Sequence, residues 1–223
     1  MAVDGKHLFE LLNAVDDDNA KGEFYLTDIV AIARAKRLSC AVTEVADERE
    51  VMGVNARAEL AIAESIMQER LRDAAMAAGA TLIDPATIYF SFDTVLGRDV
   101  TVGPSVVFGP GVSVGDNVAI RAFCHIEGAK ISNGAIIGPF ARLRPGARIG
   151  IDAHIGNFVE IKEALIETGA KINHLSYVGN ARVGPGANVG AGTIFANYDG
   201  SAKASLQGGG RRLRGQWHSS RCS

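Results

Sequence analysis

From Val95 onward the chain repeats itself every six residues, and this period constrains the fold more than any other feature. An aliphatic or Phe residue opens each hexad at Leu96, Val102, Phe108, Val114, Ile120 and Ile126. After one five-residue step the series resumes at Ile131, Ile137, Leu143, Ile149, Ile155 and Ile161. It continues, with slips, through Ile166, Ile172, Val178, Val183 and Val189. Four places after the opening residue sits a valine or alanine, as at Val100, Val106, Val112, Val118, Ala135, Ala141, Ala147 and Ala153. A period of six suits neither a helix of 3.6 residues per turn nor a plain two-residue strand. It suits a solenoid in which each hexad makes one flat side and three hexads close a triangular coil. Equivalent aliphatics then stack inward, 18 residues apart in sequence and ~4.8 Å apart along the axis.

The sequence before the repeats follows a different pattern. Leu8, Leu11, Leu12 and Val15 share one helical face. Thr27 or Asp28 is placed to cap the helical run IVAIARAKR, and LSCAVTEV reads as a strand. From about Ala56 to Ala78, the segment RAELAIAESIMQERLRDAAMAA is a long run of helix formers closed by Gly79. The expected fold class is therefore mainly β: a left-handed parallel β-helix preceded by an α/β piece and a long linker helix. The expected division is 1–56 for the α/β piece, 57–80 for the linker helix, 81–203 for the β-helix and 204–223 for a tail.

Composition narrows the function classes. The chain has 26 Gly among 223 residues and only 6% aromatics, which favours tight turns over a core of large rings. No apolar run approaches the ~18 residues of a membrane span, and the N-terminus has no signal-peptide pattern. Cys40, Cys124 and Cys222 form no metal or redox spacing, so a reducing cytoplasm is the expected location. The five histidines (His7, His125, His154, His174, His218) include no short His-x-His pair of the kind that binds zinc. Residues 201–223 carry five basic side chains and no acid, but their glycine run gives little support to a nucleic-acid arm.

The runs IGPFARLRPGARIG, NHLSYVG and VGPGANVGAGTIFANYDG closely resemble one family. These are the bacterial bifunctional N-acetylglucosamine-1-phosphate uridyltransferase / glucosamine-1-phosphate acetyltransferases. GEFYLTDIVAIA and MGVNAR match, in order, the end of that family's uridyltransferase domain, so the resemblance covers about residues 5–203. It implies acetyl transfer from acetyl-CoA to glucosamine 1-phosphate in UDP-N-acetylglucosamine synthesis, by a homotrimer with acetyl-CoA held between chains. Two departures stand out. The family's glycine-rich nucleotide loop has no counterpart, so uridyl transfer is expected to be absent. After Lys203, SLQGGGRRLRGQWHSSRCS has no hexad register, which reads as a frameshift or sequence artefact and implies lowered activity. The alternative reading is a catalytically impaired fragment serving only as a trimeric scaffold.

Arg144 and Lys162 lie one coil apart, each directly after an inward aliphatic, and should stack on one outer face. Spacing alone leaves them as solvated surface cations or as a clamp on a phosphate. The resemblance implies the clamp. It also implies that His174 is the catalytic base, a task that a histidine, with an ordinary pKa of ~6.5, suits. Ser176 is not expected to act as a nucleophile with it. Tyr177 and Asn188 each precede an inward aliphatic and are expected at coil corners; by resemblance they bind the sugar. Ala191, Asn197 and Tyr198 align with positions near acetyl-CoA, and Lys203 with a further phosphate contact. Asn55 aligns with a ligand of magnesium, needed only for uridyl transfer, in an incomplete site. Coil counting does not bring His174 beside Arg144 and Lys162, so an irregular loop or a neighbouring subunit must close the gap.

Overall fold

The computed structural model describes residues 1–195 and the backbone of Leu206–Gly208. It divides into two compact units, Met1–Gly53 and a second that begins at Val54.

The first unit holds two helices, α1 (Gly5–Leu12) and α2 (Asp28–Ala35), and a 3-10 turn at Glu48–Val51. Asp4 caps α1, its carboxylate accepting from the Lys6 N–H at 3.0 Å. Leu11, Ile29 and Ala33 form a small buried cluster against Val3, Val15, Ile32 and Leu38. The strand expected over LSCAVTEV does not form, and the unit contains helices without a sheet. β-propensity reports how well a residue packs on a paired, half-buried surface, and no second strand is present in this unit to supply one.

The second unit opens with α3 (Arg57–Ala77), whose start is fixed by Glu59 accepting from the Ala56 N–H at 3.0 Å. It ends at Gly79, which at φ +103° takes the left-handed conformation that closes many helices. One buried side chain joins this helix to the first coil. Gln68 Nε2 donates to the Phe90 carbonyl at 2.7 Å, and the Phe90 N–H donates to Gln68 Oε1 at 2.8 Å. The amide thus satisfies a β-edge in the way a neighbouring strand would.

The remainder is a parallel β-helix of short strands. Its first face stacks Val102, Ile120, Ile137, Ile155, Ile172 and Val189. The second face stacks Phe108, Ile126, Leu143, Ile161 and Val178. The third stacks Leu96, Val114, Ile131, Ile149, Ile166 and Val183. All but Leu96 are buried, as is the whole valine-and-alanine row from Val100 to Ala153. Leu206–Gly208 pairs in parallel with Ala181–Val183 on the third face.

The coil is not a constant 18 residues. Steps of five occur at Ile126–Ile131, Ile161–Ile166 and Val178–Val183, so coils that contain one advance by 17. Each corner is turned by a residue at positive φ, usually three places after the stacked aliphatic, such as Ser105, Asn117 and Gly146. At one edge those corners are bulky. Phe123, Phe140 and Phe158 stack with centroids 4.9 and 5.2 Å apart, and Leu175 follows at φ +47°. Left-handed backbone costs an L-residue about 1–2 kcal/mol, and ring stacking offsets part of that cost.

Candidate active site

The chemistry-bearing side chains lie on two faces that meet at the corner made by Phe158, Leu175 and Gly192. Two strands pass this corner without a break, His154–Lys162 and Lys171–Gly179. They pair from His154↔Lys171 through Asn157↔His174 and Glu160↔Tyr177 to Lys162↔Gly179. The irregular loop considered from the sequence is therefore not found, since the ladder keeps register across the corner.

On the near side of the corner, two residues after each stacked aliphatic, stand Asn157, His174 and Ala191 in one column. Ile155, Ile172 and Val189 set that column, and the Gly192 N–H continues it by donating to the Leu175 carbonyl at 3.1 Å. His174 is exposed, and its Nδ1 lies 2.6 Å from Asn157 Oδ1. Gly156 and Asn173 bring the two strands unusually close just before this pair. A Cβ on Gly156 would lie 2.6 and 2.7 Å from the Asn173 carbonyl carbon and Cα. Ala191 has the smallest side chain in the column and is exposed, so the surface beside the imidazole is open. Asn188 pairs with Lys171 on the same face, in the row of His154. Burial holds the His154 pKa below its ordinary value, helped by the positive charges of Arg121 and Lys171.

Ser176 does not pair with His174. The left-handed turn at Leu175 sends Ser176 into the core, where its hydroxyl donates to the His174 carbonyl at 2.8 Å.

Past the corner lies the second face. Leu143 pairs with Ile161 and Ile161 with Val178, so Arg144 stands beside Lys162, and Lys162 beside Gly179. The expected stacking of the two cations is present, with one addition. Glu160, in the next row, accepts from Arg144 Nη1 at 2.8 Å. That hydrogen bond, with the charges of Glu160 and Glu127, holds the Arg144 pKa above its ordinary value. Part of the charge balance therefore comes from the protein, and Glu160 orients the Arg144 guanidinium. Tyr177 folds its ring over Gly179, where a Cβ would meet the ring at 2.7 Å. This places the phenol beside Lys162. Tyr177 and Asn188 were expected at corners, and the structure corrects this. Both lie on flat strands, because the residue before a stacked aliphatic is a strand position and the turn comes two or three residues after that aliphatic, at Asn180 and Gly192.

The remaining expectations are quickly placed. Asn55 is exposed, just before α3, and its backbone N–H donates to the Glu59 carboxylate. Among the described residues no group of three or more His, Cys, Asp or Glu could hold a metal ion, so the residues at hand do not build a magnesium site there. No helix among them is long and apolar enough to cross a membrane. Asn197, Tyr198 and Lys203 lie outside the described residues.

Two site residues went unnoticed in the sequence, Asn157 and Glu160. The signal for Asn157 is the five-residue step at Ile161–Ile166, which makes that coil 17 residues long and sets Asn157 beside His174. Counting 18 back from His174 reaches Gly156 instead.

Residues 93–128 match the family described as bacterial transferase hexapeptide (six repeats). Over 204 residues the chain is 65% identical to the Bifunctional protein GlmU of Paramagnetospirillum magneticum, covering 92% of this chain and 45% of that protein. The GlmU of Rhodospirillum rubrum is 65% identical over 203 residues, 91% of this chain and 45% of the relative. Among solved structures, the acetyltransferase domain of PglB from Neisseria gonorrhoeae in complex with acetyl coenzyme A has a TM-score of 0.40 and 16% identity. That match covers 59% of this chain and 62% of the other. The chain spans about 45% of the length of the curated relatives it matches. Identity of this order, held across nine-tenths of the chain, makes it a relative of the bifunctional GlmU proteins over the part of them that it spans.

Proposed function

We propose that the β-helix transfers an acetyl group from acetyl-CoA to the amine of glucosamine 1-phosphate. The observation that carries this reading is the column Asn157–His174–Ala191, which sets an exposed imidazole beside open surface. His174 is the base: the amine nitrogen attacks the thioester carbonyl and loses its proton to the imidazole. The C–N bond forms, the C–S bond breaks, and the coenzyme leaves as a thiolate that takes up a proton. No acyl-enzyme is needed, in keeping with a buried Ser176.

Arg144 and Lys162 hold the sugar phosphate, Arg144 through the planar fork that Glu160 keeps aimed. Tyr177 and Asn188 contact the sugar. By the family resemblance, Ala191, Asn197 and Tyr198 are assigned to acetyl-CoA, and Lys203 to a further phosphate contact. The product is N-acetylglucosamine 1-phosphate, made in the cytoplasm for UDP-N-acetylglucosamine synthesis. Magnesium serves only the family's uridyl transfer, and no step here runs through it.

His174, Asn188 and Ala191 lie on one side of the corner, while Arg144, Lys162 and Tyr177 lie on the other. A convex corner cannot close both groups around one small sugar. The site is therefore completed between neighbouring copies of a homotrimer, each lending one face. Mixed assembly tests this. His174→Ala and Lys162→Ala chains, each inactive alone, should regain part of the activity when refolded together. Mixed trimers without any regained activity would refute a site shared between copies.

A further inference from the structure

We infer that Asn157 is a positioning residue that fixes the tautomer of His174, an inference that rests on His174 acting as the base. Asn157 Oδ1 stands 2.6 Å from His174 Nδ1. An amide oxygen only accepts, so in the neutral ring the proton lies on Nδ1 and the lone pair on Nε2. Nε2 is the nitrogen remote from Asn157, turned away from the contact. A free neutral histidine has no such partner to select its tautomer, and a ring protonated on Nε2 cannot take a proton there.

The architecture makes the contact rigid at both ends. Asn157 is half-buried and lies between the stacked Ile155 and the buried Val159. His174 sits opposite it in an unbroken ladder, pinned from below by the Ser176 hydroxyl on its own carbonyl. Gly156 lets the two strands approach closely at this point. The neutral amide also has a chemical consequence. A carboxylate at this position would stabilise imidazolium and hold a proton on the base, whereas an amide orients the ring without adding charge. Of the titratable groups on the two paired strands, His154 and Lys171 lie on the His174 side of the corner, and Glu160, Lys162 and Tyr177 lie past it. The ring's hydrogen bond at Nδ1 is made by the uncharged amide of Asn157.

The test uses the full chain labelled with ¹⁵N-histidine, with the His174 signals assigned by their loss in His174→Ala. Long-range ¹H–¹⁵N spectra above pH 8 should show His174 protonated on Nδ1 in the wild type. Asn157→Ala should mix the tautomers and lower kcat about 10- to 100-fold, the range by which a metal-bound histidine's orienting partner matters. KM for both substrates should stay within twofold. Asn157→Asp should keep the tautomer and raise the pKa of the ring, so the acid limb of the kcat/KM profile moves to higher pH by about one unit. An Nε2-protonated ring in the wild type, a tautomer unchanged in Asn157→Ala, or an unmoved acid limb in Asn157→Asp would each overturn the inference. A wild type with the Nδ1 tautomer but no acetyl transfer would instead count against the proposed function.

Discussion

Replacing Gly156 by Ala should damage the β-helix far more than the same change at Gly186, although both add a single methyl group. A Cβ at position 156 would press on the backbone of Asn173, 2.6 Å from its carbonyl carbon and 2.7 Å from its Cα. Ordinary carbon contacts lie at ~3.5–4.0 Å, so the shortfall is at least about 0.8 Å, with the Asn173 carbonyl oxygen closer still, against atoms that cannot rotate away. The neighbouring coils must part by that distance where ladder bonds such as His154 N–H to Ala170 O measure 2.8 Å. Overpacking costs about 1–3 kcal/mol, and each weakened buried ladder bond about 1 kcal/mol more, for a total of about 4 kcal/mol. At Gly186, φ is +63° and no atom lies within 4 Å of the added carbon. Only the left-handed penalty applies, and loss of freedom in the unfolded chain offsets part of it, leaving about 1 kcal/mol. Urea unfolding followed by far-ultraviolet circular dichroism reads the difference. With a slope of about 2 kcal/mol/M, Gly156→Ala should unfold about 1.5 M earlier than Gly186→Ala. Equal midpoints would refute the claim that coil approach, and not backbone conformation, requires glycine at position 156.

Other consequences follow from single contacts. Gln68→Leu should cost about 3 kcal/mol, read as an earlier urea midpoint, because it strands the Phe90 N–H and carbonyl at the first coil. Phe140→Ala removes the middle ring of the Phe123–Phe140–Phe158 stack and should cost about 1–2 kcal/mol despite the exposure of that ring. Burial pushes the Cys124 thiol up to about 11, so at pH 8 only about one part in a thousand is thiolate. In a Cys222→Ser background, a disulfide reagent at pH 8 should label exposed Cys40 quickly and Cys124 only after unfolding. Because the Cys124 pKa is raised, its reactivity in the folded protein should climb as pH approaches that value; fast labelling at pH 8 would contradict the burial.

Much of this architecture was legible from the row of stacked aliphatics, because an inward position tolerates little besides a branched apolar side chain. Residues such as Ile137, Leu143 and Ile155 therefore repeat visibly. The corners were harder to read. Positive φ is expected of Gly or Asn, yet Phe123, Phe140, Phe158 and Leu175 adopt it, held there by one another and by the coils. LSCAVTEV misled for the opposite reason: its residues favour strands, but the unit offers no partner strand. In the site, Arg144 and Lys162 could be paired by counting one coil. Glu160 went unseen because it reaches Arg144 diagonally, 16 residues away, between adjacent rows. Asn157 needed the 17-residue coil, and therefore the exact place of a five-residue step.

The most direct test of the central claim is thiol release from acetyl-CoA in the presence of glucosamine 1-phosphate, with the wild type compared against His174→Ala. The account predicts release that depends on the sugar phosphate and falls at least 100-fold without the imidazole, as loss of a general base implies. Release unchanged in His174→Ala, or no release from the folded wild-type protein, would contradict it.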